Sequence, residues 1–536
     1  MRGAKPRTAD HREMRCGAVA SDLGSELIKA KDAWGMTGRT RLGGAGLLMA
    51  GMLALSVAGM AMAQDDTRID IQQYDNGGIY EGEFRNGVQH GTGTYRLPNG
   101  YEYTGEWVDG EIQGQGRAVF PDRSVYEGSF VAGRPEGQGS ITFADGSTYT
   151  GAWADGRING TGVAVYANGV RYEGQFVNAL HQGTGVMIGA DGSRYDGDWA
   201  DGVKSGQGTI TYADGTTYVG QFAGGERSGT GRLQMPDGVI YDGQWADGQI
   251  NGEGVLTQPN GDVYTGTLAG GQRQGPGRVV YDNGDTYEGD FADDRRHGQG
   301  TFTGVDGYLY VGQWADGRIA GQGQVTYPDG SVYVGGFRND VTHGTGTISY
   351  PDGSSYAGDW ADGVIQGFGT ATYANGLVYE GQFLGAQQHG QGVISHPDGY
   401  RYEGGWAEGL RHGIGIATYA DGTIYEGAFA AGQREGTGTL TMPDGFTYVG
   451  DWAAGEINGM GLATYGNGDI YEGRFVNGRR QGIGTMRYAS GEVVDGEWLE
   501  GLLTSDADAP APAEQPDTSE PGASPTADVD TPAPTE

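Results

Sequence analysis

Residues 91–107 read GTGTYRLPNGYEYTGEW. This stretch joins a Gly-x-Gly, an Asn-Gly pair and a Tyr-x-Gly triplet that an aromatic residue follows. In an extended strand Tyr103, Gly105 and Trp107 share one face, and the glycine leaves a notch in which a ring can lie over bare backbone. The Asn-Gly pair supplies positive φ for a tight turn, and Gly-x-Gly allows close approach of the next strand. The stretch therefore predicts a β-hairpin.

The hairpin pattern repeats along most of the chain. Its triplet recurs every 23 residues from Tyr80 to Tyr471, and a last copy reads Val494-Asp495-Gly496. These nineteen copies contain no insertion or deletion, and five of their slots hold most of the 108 glycines. A single hairpin is marginal in water, so each aromatic set must stack on its neighbours. The fold class is therefore all-β, an antiparallel sheet that grows into a rod on the order of 180 Å long.

A second period lies within the first. The residue two after the triplet glycine alternates between Phe and Trp from Phe84 to Trp245, Leu268 breaks the order, and it resumes out of phase from Phe291 to Trp498. We interpret this as duplication of a 46-residue unit with one odd repeat. The repeat near Leu268 is predicted to be the weakest, with a bend or a local opening.

The pattern resembles the MORN (membrane occupation and recognition nexus) family. The matching motif is Gly-x-Gly followed by Asp/Asn-Gly-x-x-Tyr-x-Gly-x-Trp/Phe, as in Gly93 to Trp107, and the resemblance covers residues ~74–501. It implies an elongated, twisted, single-layer antiparallel sheet. MORN proteins are often described as membrane-binding or as scaffolds, and some homodimerise.

The N-terminal region, residues 1–63, is predicted to be an export signal. Residues 47–60 are apolar and precede Ala61-Met62-Ala63, a typical A-x-A site, so cleavage is expected after Ala63. A start at Met36 would give a leader of ordinary length. The location is then periplasmic or secreted, and an uncleaved membrane anchor is the alternative.

Three further segments complete the predicted organisation. Residues 64–73 form a lead-in in which Ile69 and Ile71 could belong to a capping edge strand. Residues 74–503 are the repeat array. Residues 504–536, rich in Pro, Asp and Glu, are predicted to be a disordered acidic tail.

The charge limits the classes of partner. The net charge is −35, and removing residues 1–63 removes nine basic and five acidic residues, which makes it −39. Such a surface excludes nucleic acid and disfavours anionic lipid. Cys16, the only cysteine, precedes the cleavage site, so we expect no disulfide or thiolate metal site in the mature protein.

The sequence shows no catalytic constellation, and we predict no enzyme activity, no cofactor and no metal site. Five histidines occupy one repeat slot, mostly two or more repeats apart, and fit polar turn residues better than metal ligands; they are His90, His297, His343, His389 and His412. The turn Asp residues leave weak, distributed calcium binding as an alternative. No phosphate-binding Gly-rich loop that opens a helix is present.

The aromatic ladder is the remaining candidate site. Its rings either pack on each other as a thin core or leave one face partly open for a polymer, a peptide or a second copy, and some exposure is expected of a single layer. The candidate residues are Tyr103, Trp107, Tyr149, Trp153, Tyr195, Trp199, Tyr310, Trp314, Tyr356, Trp360, Tyr402 and Trp406.

Three functions remain open from the sequence. The first is a non-catalytic cell-envelope scaffold that binds a protein partner, itself, or both. The second is a peripheral, lipid-associated protein, which the family resemblance supports and the charge opposes. The third is a glycan- or peptidoglycan-binding module that uses Trp and Tyr faces.

Overall fold

The computed structural model describes residues 67–504. The export region, its cleavage site and residues 505–536 of the tail lie outside the described residues, so those boundaries stay predictions. The chain divides into two units, residues 1–272 and 273–536. Within the described residues both units are built from β-strands alone, and no helix there is long and apolar enough to cross a membrane.

In the first unit, successive strands from β1 to β18 pair antiparallel in chain order. The sheet therefore grows in one direction, as the hairpin pattern predicts. Its strands are β1 Thr67–Gln73, β2 Ile79–Arg85, β3 Val88–Arg96, β4 Glu102–Val108, β5 Glu111–Val119, β6 Val125–Val131, β7 Arg134–Thr142, β8 Thr148–Ala154, β9 Arg157–Val165, β10 Arg171–Val177, β11 Leu180–Ile188, β12 Arg194–Ala200, β13 Val203–Thr211, β14 Thr217–Ala223, β15 Glu226–Gln234, β16 Ile240–Ala246, β17 Gln249–Thr257 and β18 Val263–Ala269.

The second unit repeats this antiparallel order. Its strands are β19 Gln272–Val280, β20 Thr286–Ala292, β21 Arg295–Thr303, β22 Leu309–Ala315, β23 Arg318–Thr326, β24 Val332–Arg338, β25 Val341–Ser349, β26 Ser355–Ala361, β27 Val364–Thr372, β28 Val378–Leu384, β29 Gln387–Ser395, β30 Arg401–Ala407, β31 Leu410–Thr418, β32 Ile424–Ala430, β33 Gln433–Thr441, β34 Thr447–Ala453, β35 Glu456–Thr464, β36 Ile470–Val476, β37 Arg479–Arg487, β38 Val493–Leu499 and β39 Leu502–Leu503.

The two connections of each repeat differ in length. The tight two-residue turn is made by the fifth glycine slot: Asp109 and Gly110 join β4 to β5 with φ of 50° and 90°, as a type I′ turn requires. The Asp/Asn-Gly pair lies instead in a five-residue loop. In Leu97–Tyr101 only Gly100 has positive φ, and Asn99 accepts a hydrogen bond from the Tyr101 amide at 3.0 Å. The Asp/Asn-Gly pair therefore supplies positive φ to a hairpin turn as predicted, through Gly100, but this connection is five residues long and the two-residue turn lies elsewhere.

A β-bulge explains the Gly-x-Gly motif. In the first repeat Gly82 lies opposite Gly93 and Phe84 lies opposite Gln89, so β3 carries two extra residues. Gly91 takes up the distortion with a φ of 66°, which glycine adopts at little cost. The bulge leaves the carbonyl of Glu83 outside the ladder, where it accepts a hydrogen bond from the Tyr80 hydroxyl at 2.9 Å.

The glycine notch predicted from the sequence is confirmed. Gly128 and Gly139 lie opposite each other, and a Cβ built on Gly128 would lie 2.6 Å from the Gly139 Cα. A Cβ on Gly139 would lie 2.5 Å from Cζ of Tyr126. The tyrosine ring thus lies over two bare backbones, which only glycine allows.

The strands at the ends of the described residues also follow the array. Thr67–Gln73 pairs with β2 along its full length as an edge strand, with its side chains exposed. The last full strand, β38, contains Val494 and pairs with the short β39. Leu268, at the break of the Phe/Trp order, is buried like the rings it replaces.

Candidate functional site

The aromatic ladder forms the core of both units. Within each unit, and apart from the repeat that contains Leu268, the tyrosine ring contacts the Phe or Trp of its own repeat edge-on and that of the next repeat in the same way. Tyr103, for example, lies 5.6 Å from Trp107 and 5.0 Å from Phe130 between ring centroids. Edge-to-face geometry at this distance is the favoured arrangement of aromatic pairs. The ladder therefore ties each hairpin to its neighbours.

All twelve candidate ladder residues lie in this core. Trp360 is the most exposed of them at 9%, and Tyr103 is fully buried. The structure brings them together as Tyr–Trp pairs within a repeat, such as Tyr149 and Trp153 at 5.7 Å. This burial differs from the expectation that a single layer leaves its aromatic face partly open, because the rings cover one another and the glycines below them.

The polar atoms of the ladder are bonded internally. Trp107 Nε1 donates to the Gly93 carbonyl of the preceding repeat at 3.3 Å, and the Tyr103 hydroxyl donates to the Glu106 carbonyl at 3.0 Å. Burial raises the pKa of the Tyr80 and Tyr149 hydroxyls to about 12. These tyrosines therefore remain neutral hydrogen-bond donors at physiological pH.

A further repeat position, which was not predicted from the sequence, lies beside the rings, and its occupant follows the 46-residue period. We call this position the slot. It lies opposite the Phe or Trp of its own hairpin, as Gln89 does Phe84 and Ile112 does Trp107. In Trp repeats it holds isoleucine in six cases of nine, and in Phe repeats it never does. The Phe-repeat occupants are Gln89, Pro135, His181, Arg227, Arg296, Thr342, Gln388, Arg434 and Arg480.

Several of these occupants are arginines that lie on the ring of the next repeat. The Arg227 guanidinium carbon is 4.3 Å from the ring centroid of Trp245, and its Nη2 donates to the Gly248 carbonyl at 2.8 Å. Cation–π contact gains strength where water is excluded. In an acidic protein, these cations therefore stabilise the stacking between repeats.

His181 occupies the same slot in the first unit. Its ring stacks on Tyr172 with centroids 3.7 Å apart, and its Nε2 lies 2.7 Å from the Tyr166 hydroxyl. Burial lowers its pKa to about 4. This is the one buried histidine among the described residues.

The outer face carries the residues that alternate with the ladder, such as Thr104 and Glu106, and the middle residue of each Gly-x-Gly. No second layer covers it in the described residues, and Thr92 and Glu106, which lie opposite each other, are both exposed. Each hairpin adds one such pair, so two strand spacings of ~4.8 Å separate successive pairs. The outer face is thus a regular, solvent-exposed surface.

The histidines and turn carboxylates singled out from the sequence make local contacts in the structure. Across residues 67–504, no group of three or more His, Cys, Asp or Glu side chains is placed to hold a metal ion. His90 accepts a hydrogen bond at 3.4 Å from the Asp109 amide of the next repeat's turn, as a polar turn residue would. The turn carboxylates are engaged locally, as where Asp145 accepts from the Ser147 amide at 2.8 Å.

One hollow opens on the outer face of the second unit. It is lined by Asp290, His297, Gln299, Gln313 and Trp314. Ala320, which holds the position of His297 in the following repeat, also borders it. Carboxylate, imidazole and amide groups of this kind can bond hydroxyl groups. The hollow is therefore a polar feature of the second unit.

Comparison with known families places the chain. The model of the MORN repeat matches eighteen successive segments between residues 80 and 493. The chain belongs to the MORN repeat family, whose repeats are in general non-enzymatic. The copy at Val494, which lacks the tyrosine and a following Gly-x-Gly, is not matched. No curated protein matches the chain.

Solved structures show only remote likenesses. A mutant TCP10 domain of CPAP from Danio rerio is 15% identical, covers 44% of this chain and 94% of its own, and gives a TM-score of 0.19. The TCP domain of SAS-4 from Drosophila melanogaster, bound to a proline-rich motif of Ana2, is 12% identical, covers 41% and 99%, and gives 0.17. A catalytically inactive virginiamycin B lyase from Staphylococcus aureus is 11% identical, covers 60% and 98%, and gives 0.10. TM-scores this low say nothing about the function of this chain.

Proposed function

We propose that this protein is a non-catalytic interaction scaffold of the bacterial cell envelope. The observation that supports this function is the outer face, a regular sheet surface without a covering layer in the described residues. The aromatic residues of the ladder, in contrast, are buried in the core, where they pack against each other. A surface that repeats one hairpin many times suits the binding of extended or multiple partners, as in other repeat proteins.

The envelope location rests on the N-terminal sequence. An apolar segment at residues 47–60 followed by the small residues Ala61 and Ala63 is typical of a cleaved leader. The mature chain would then be periplasmic or secreted. Its strong negative charge favours solubility there and a protein partner over nucleic acid or anionic lipid.

A glycan is a second candidate ligand, favoured by the hollow of the second unit. Sugar hydroxyl groups bond to carboxylate and amide groups, and Asp290, Gln299 and Gln313 supply these groups. Sedimentation of the protein with insoluble peptidoglycan tests this candidate. Binding that disappears in a Gln299→Ala, Gln313→Ala double variant would favour it over the protein scaffold.

The scaffold function is tested by photo-crosslinking in the cell of origin. A photoreactive residue is placed at Gln138 or Gln299 on the outer face, and at the exposed turn residue Asp155 as a control for chance collisions. We expect discrete protein adducts from the outer face and few from the turn. The absence of adducts from every outer-face position would overturn the proposal.

Vesicle co-sedimentation addresses the lipid alternative. The mature protein is mixed with neutral and with anionic vesicles across a salt series. We expect no binding to either, because a surface of this charge is repelled by anionic headgroups. Strong binding to vesicles would replace the scaffold function by a membrane-associated one.

A further inference from the structure

Apolar side chains stand at regular intervals on one part of the outer face. Phe368, Ile414 and Met460 are 62%, 68% and 58% exposed. They occupy the middle of Gly-x-Gly in β27, β31 and β35, and successive members are 46 residues apart. The corresponding positions in the first unit are all polar: they hold Thr or Gln, as in Thr92 and Gln138, and once Glu, at Glu253. The sequence therefore places apolar groups here where the fold alone requires none.

A second row runs beside the first. Ile416 and Leu462 follow Ile414 and Met460 by two residues, so they project from the same face of their strands, and each is 40% exposed. Four strands separate β31 from β35, a distance of ~19 Å. Single exposed apolar residues are ordinary, but a periodic row indicates a binding surface. Ile483, on β37, is also in the middle of a Gly-x-Gly and is 75% exposed, so it extends the first row.

Carboxylates alternate with these apolar residues at the same period. Glu380, Glu426 and Glu472 are exposed and again 46 residues apart. Ile416 lies directly opposite Glu426, and Leu462 directly opposite Glu472. We call these three glutamates and the apolar residues Phe368, Ile414, Ile416, Met460 and Leu462 the C-terminal outer patch.

The three glutamates of this patch form no ion pair within the described part of the chain. The nearest cation along β36 is Arg474, which lies two residues from Glu472 and directly opposite Met460. In the first unit, the equivalent acid Glu127 pairs with Arg117 at 3.1 Å, and Asp242 pairs with Arg232 at 3.5 Å. The repeat position that holds these arginines in the first unit is occupied by Ile416 and Leu462 in the patch. The C-terminal outer patch thus combines uncovered apolar groups with unpaired negative charge.

We propose that the C-terminal outer patch binds a partner segment in which apolar side chains alternate with lysine or arginine. Apolar groups of the segment cover Ile414 and Met460, and its cations pair with Glu426 and Glu472. A second copy of this chain fits less well, because its own patch presents the same negative charge. This proposal rests on the scaffold function and names the surface and the chemistry of its partner.

Defined peptides test the pairing of charge and apolar contact. The probes are three labelled 15-residue peptides that alternate Leu with Lys, Leu with Glu, and Ser with Lys, and fluorescence anisotropy reports their binding to the mature protein. We expect the Leu/Lys peptide to bind at least about tenfold more tightly than either of the others. Equal binding of the Ser/Lys peptide would overturn the proposal, because binding would then follow net charge alone.

Matched variants locate the binding. Phe368→Gln, Ile414→Thr and Met460→Gln together introduce residues that the same slot holds elsewhere, so the hairpins keep their sequence rules. We expect this triple variant to weaken Leu/Lys binding at least about tenfold, and Glu380→Gln, Glu426→Gln and Glu472→Gln together to weaken it several-fold. The control, Thr92→Ala with Gln138→Ala and Thr184→Ala, changes the first unit and should bind as the parent does. Unchanged binding by the apolar triple variant would overturn the proposal.

Two further measurements separate this proposal from the scaffold function. Sedimentation velocity of the parent and the apolar triple variant tests a second copy as occupant, and an oligomer lost in that variant would overturn the basic partner. A photoreactive residue at Thr437, between Ile414 and Met460, is compared in cells with one at Gln138. Adducts from Gln138 but none from Thr437 would leave the scaffold function standing and overturn the proposed patch.

Discussion

The Arg296 guanidinium carbon lies 4.1 Å from the ring centroid of Trp314, one repeat further along the chain. Its Nη2 also donates to the Gly317 carbonyl of that repeat's turn at 3.0 Å. One side chain thus joins a ring and a turn of the neighbouring hairpin. Stacking between repeats therefore has a polar component beside the aromatic ladder.

A double-mutant cycle on Arg296→Gln and Trp314→Phe measures this component. We expect a coupling free energy of about 1 kcal/mol, because the cation lies on the ring in a partly desolvated site. Hydrogen exchange of the β21 and β22 amides reports the local free energy of opening, which suits an array that need not unfold in one step. Arg295, which is exposed and paired with Asp316 at 3.0 Å, provides the control. A coupling as large for Arg295→Gln as for Arg296→Gln would contradict the proposed contact.

Gly139→Ala is expected to destabilise its hairpin by about 3 kcal/mol, the upper range for overpacking. The added methyl group would meet the Tyr126 ring, which cannot move without leaving its own contacts with Phe130 and Trp153. Hydrogen exchange of the β6 and β7 amides measures this loss of local stability.

The matched control is Gly133→Asn in the turn of the same hairpin. Gly133 has a φ of 75° and open space around its Cα, and asparagine tolerates positive φ. We expect it to cost less than about 1 kcal/mol. Similar losses in the two variants would show that flexibility, and not the room below Tyr126, decides the choice of glycine.

The fold could be predicted from the sequence because the 23-residue period determines where each hairpin begins and which face of its strands is buried. Tyr80, Gly82 and Phe84 already show which face is buried, and an unbroken 23-residue spacing requires one hairpin per repeat. The turn types could not be assigned correctly, because Asn99-Gly100 and Asp109-Gly110 are both good turn pairs and only the register of the bulge separates them.

The site was less accessible from the sequence. The glycine notch shows that Tyr126 lies over Gly139, but it does not show whether the other side of the ring is open. The slot at Arg227 and Arg296 was missed because its signal is a coupling between two alternating positions, isoleucine in Trp repeats and polar groups in Phe repeats. Similarly, the exposure of Ile414 and Met460 requires knowing that the middle of Gly-x-Gly faces outward.

Cleavage of the leader gives a prediction at the N-terminus. When the gene is expressed in a bacterial host, we expect the exported protein to begin at Gln64, since Ala61 and Ala63 are small as the A-x-A rule requires. Ala61→Lys should block processing, and a chain that starts at Met36 should be exported as the full chain is. Mass spectrometry of the intact protein identifies the N-terminus. A retained residue 47–60 segment in the exported protein would favour the membrane anchor instead.

His181 should make the stability of the first unit depend on pH. Burial lowers its pKa from 6.5 to about 4, so folding favours the neutral imidazole, and between these values the unfolded chain binds more protons. The contribution of the neutral His181 side chain to the free energy of unfolding is therefore complete above pH 6.5, and it is lost as the pH falls towards 4. At pH 5 the loss amounts to about 2 kcal/mol.

Hydrogen exchange in β10–β12 at pH 7 and pH 5 measures this loss, and another repeat supplies the comparison. Gln388 occupies the same slot, and its Nε2 donates to the Tyr373 hydroxyl at 2.7 Å, much as His181 contacts Tyr166. His181→Gln should keep the contact and remove the titration. Because other carboxylates titrate in the same range, the difference between parent and variant isolates the histidine. If both lose the same stability between pH 7 and pH 5, burial of His181 does not control the pH response.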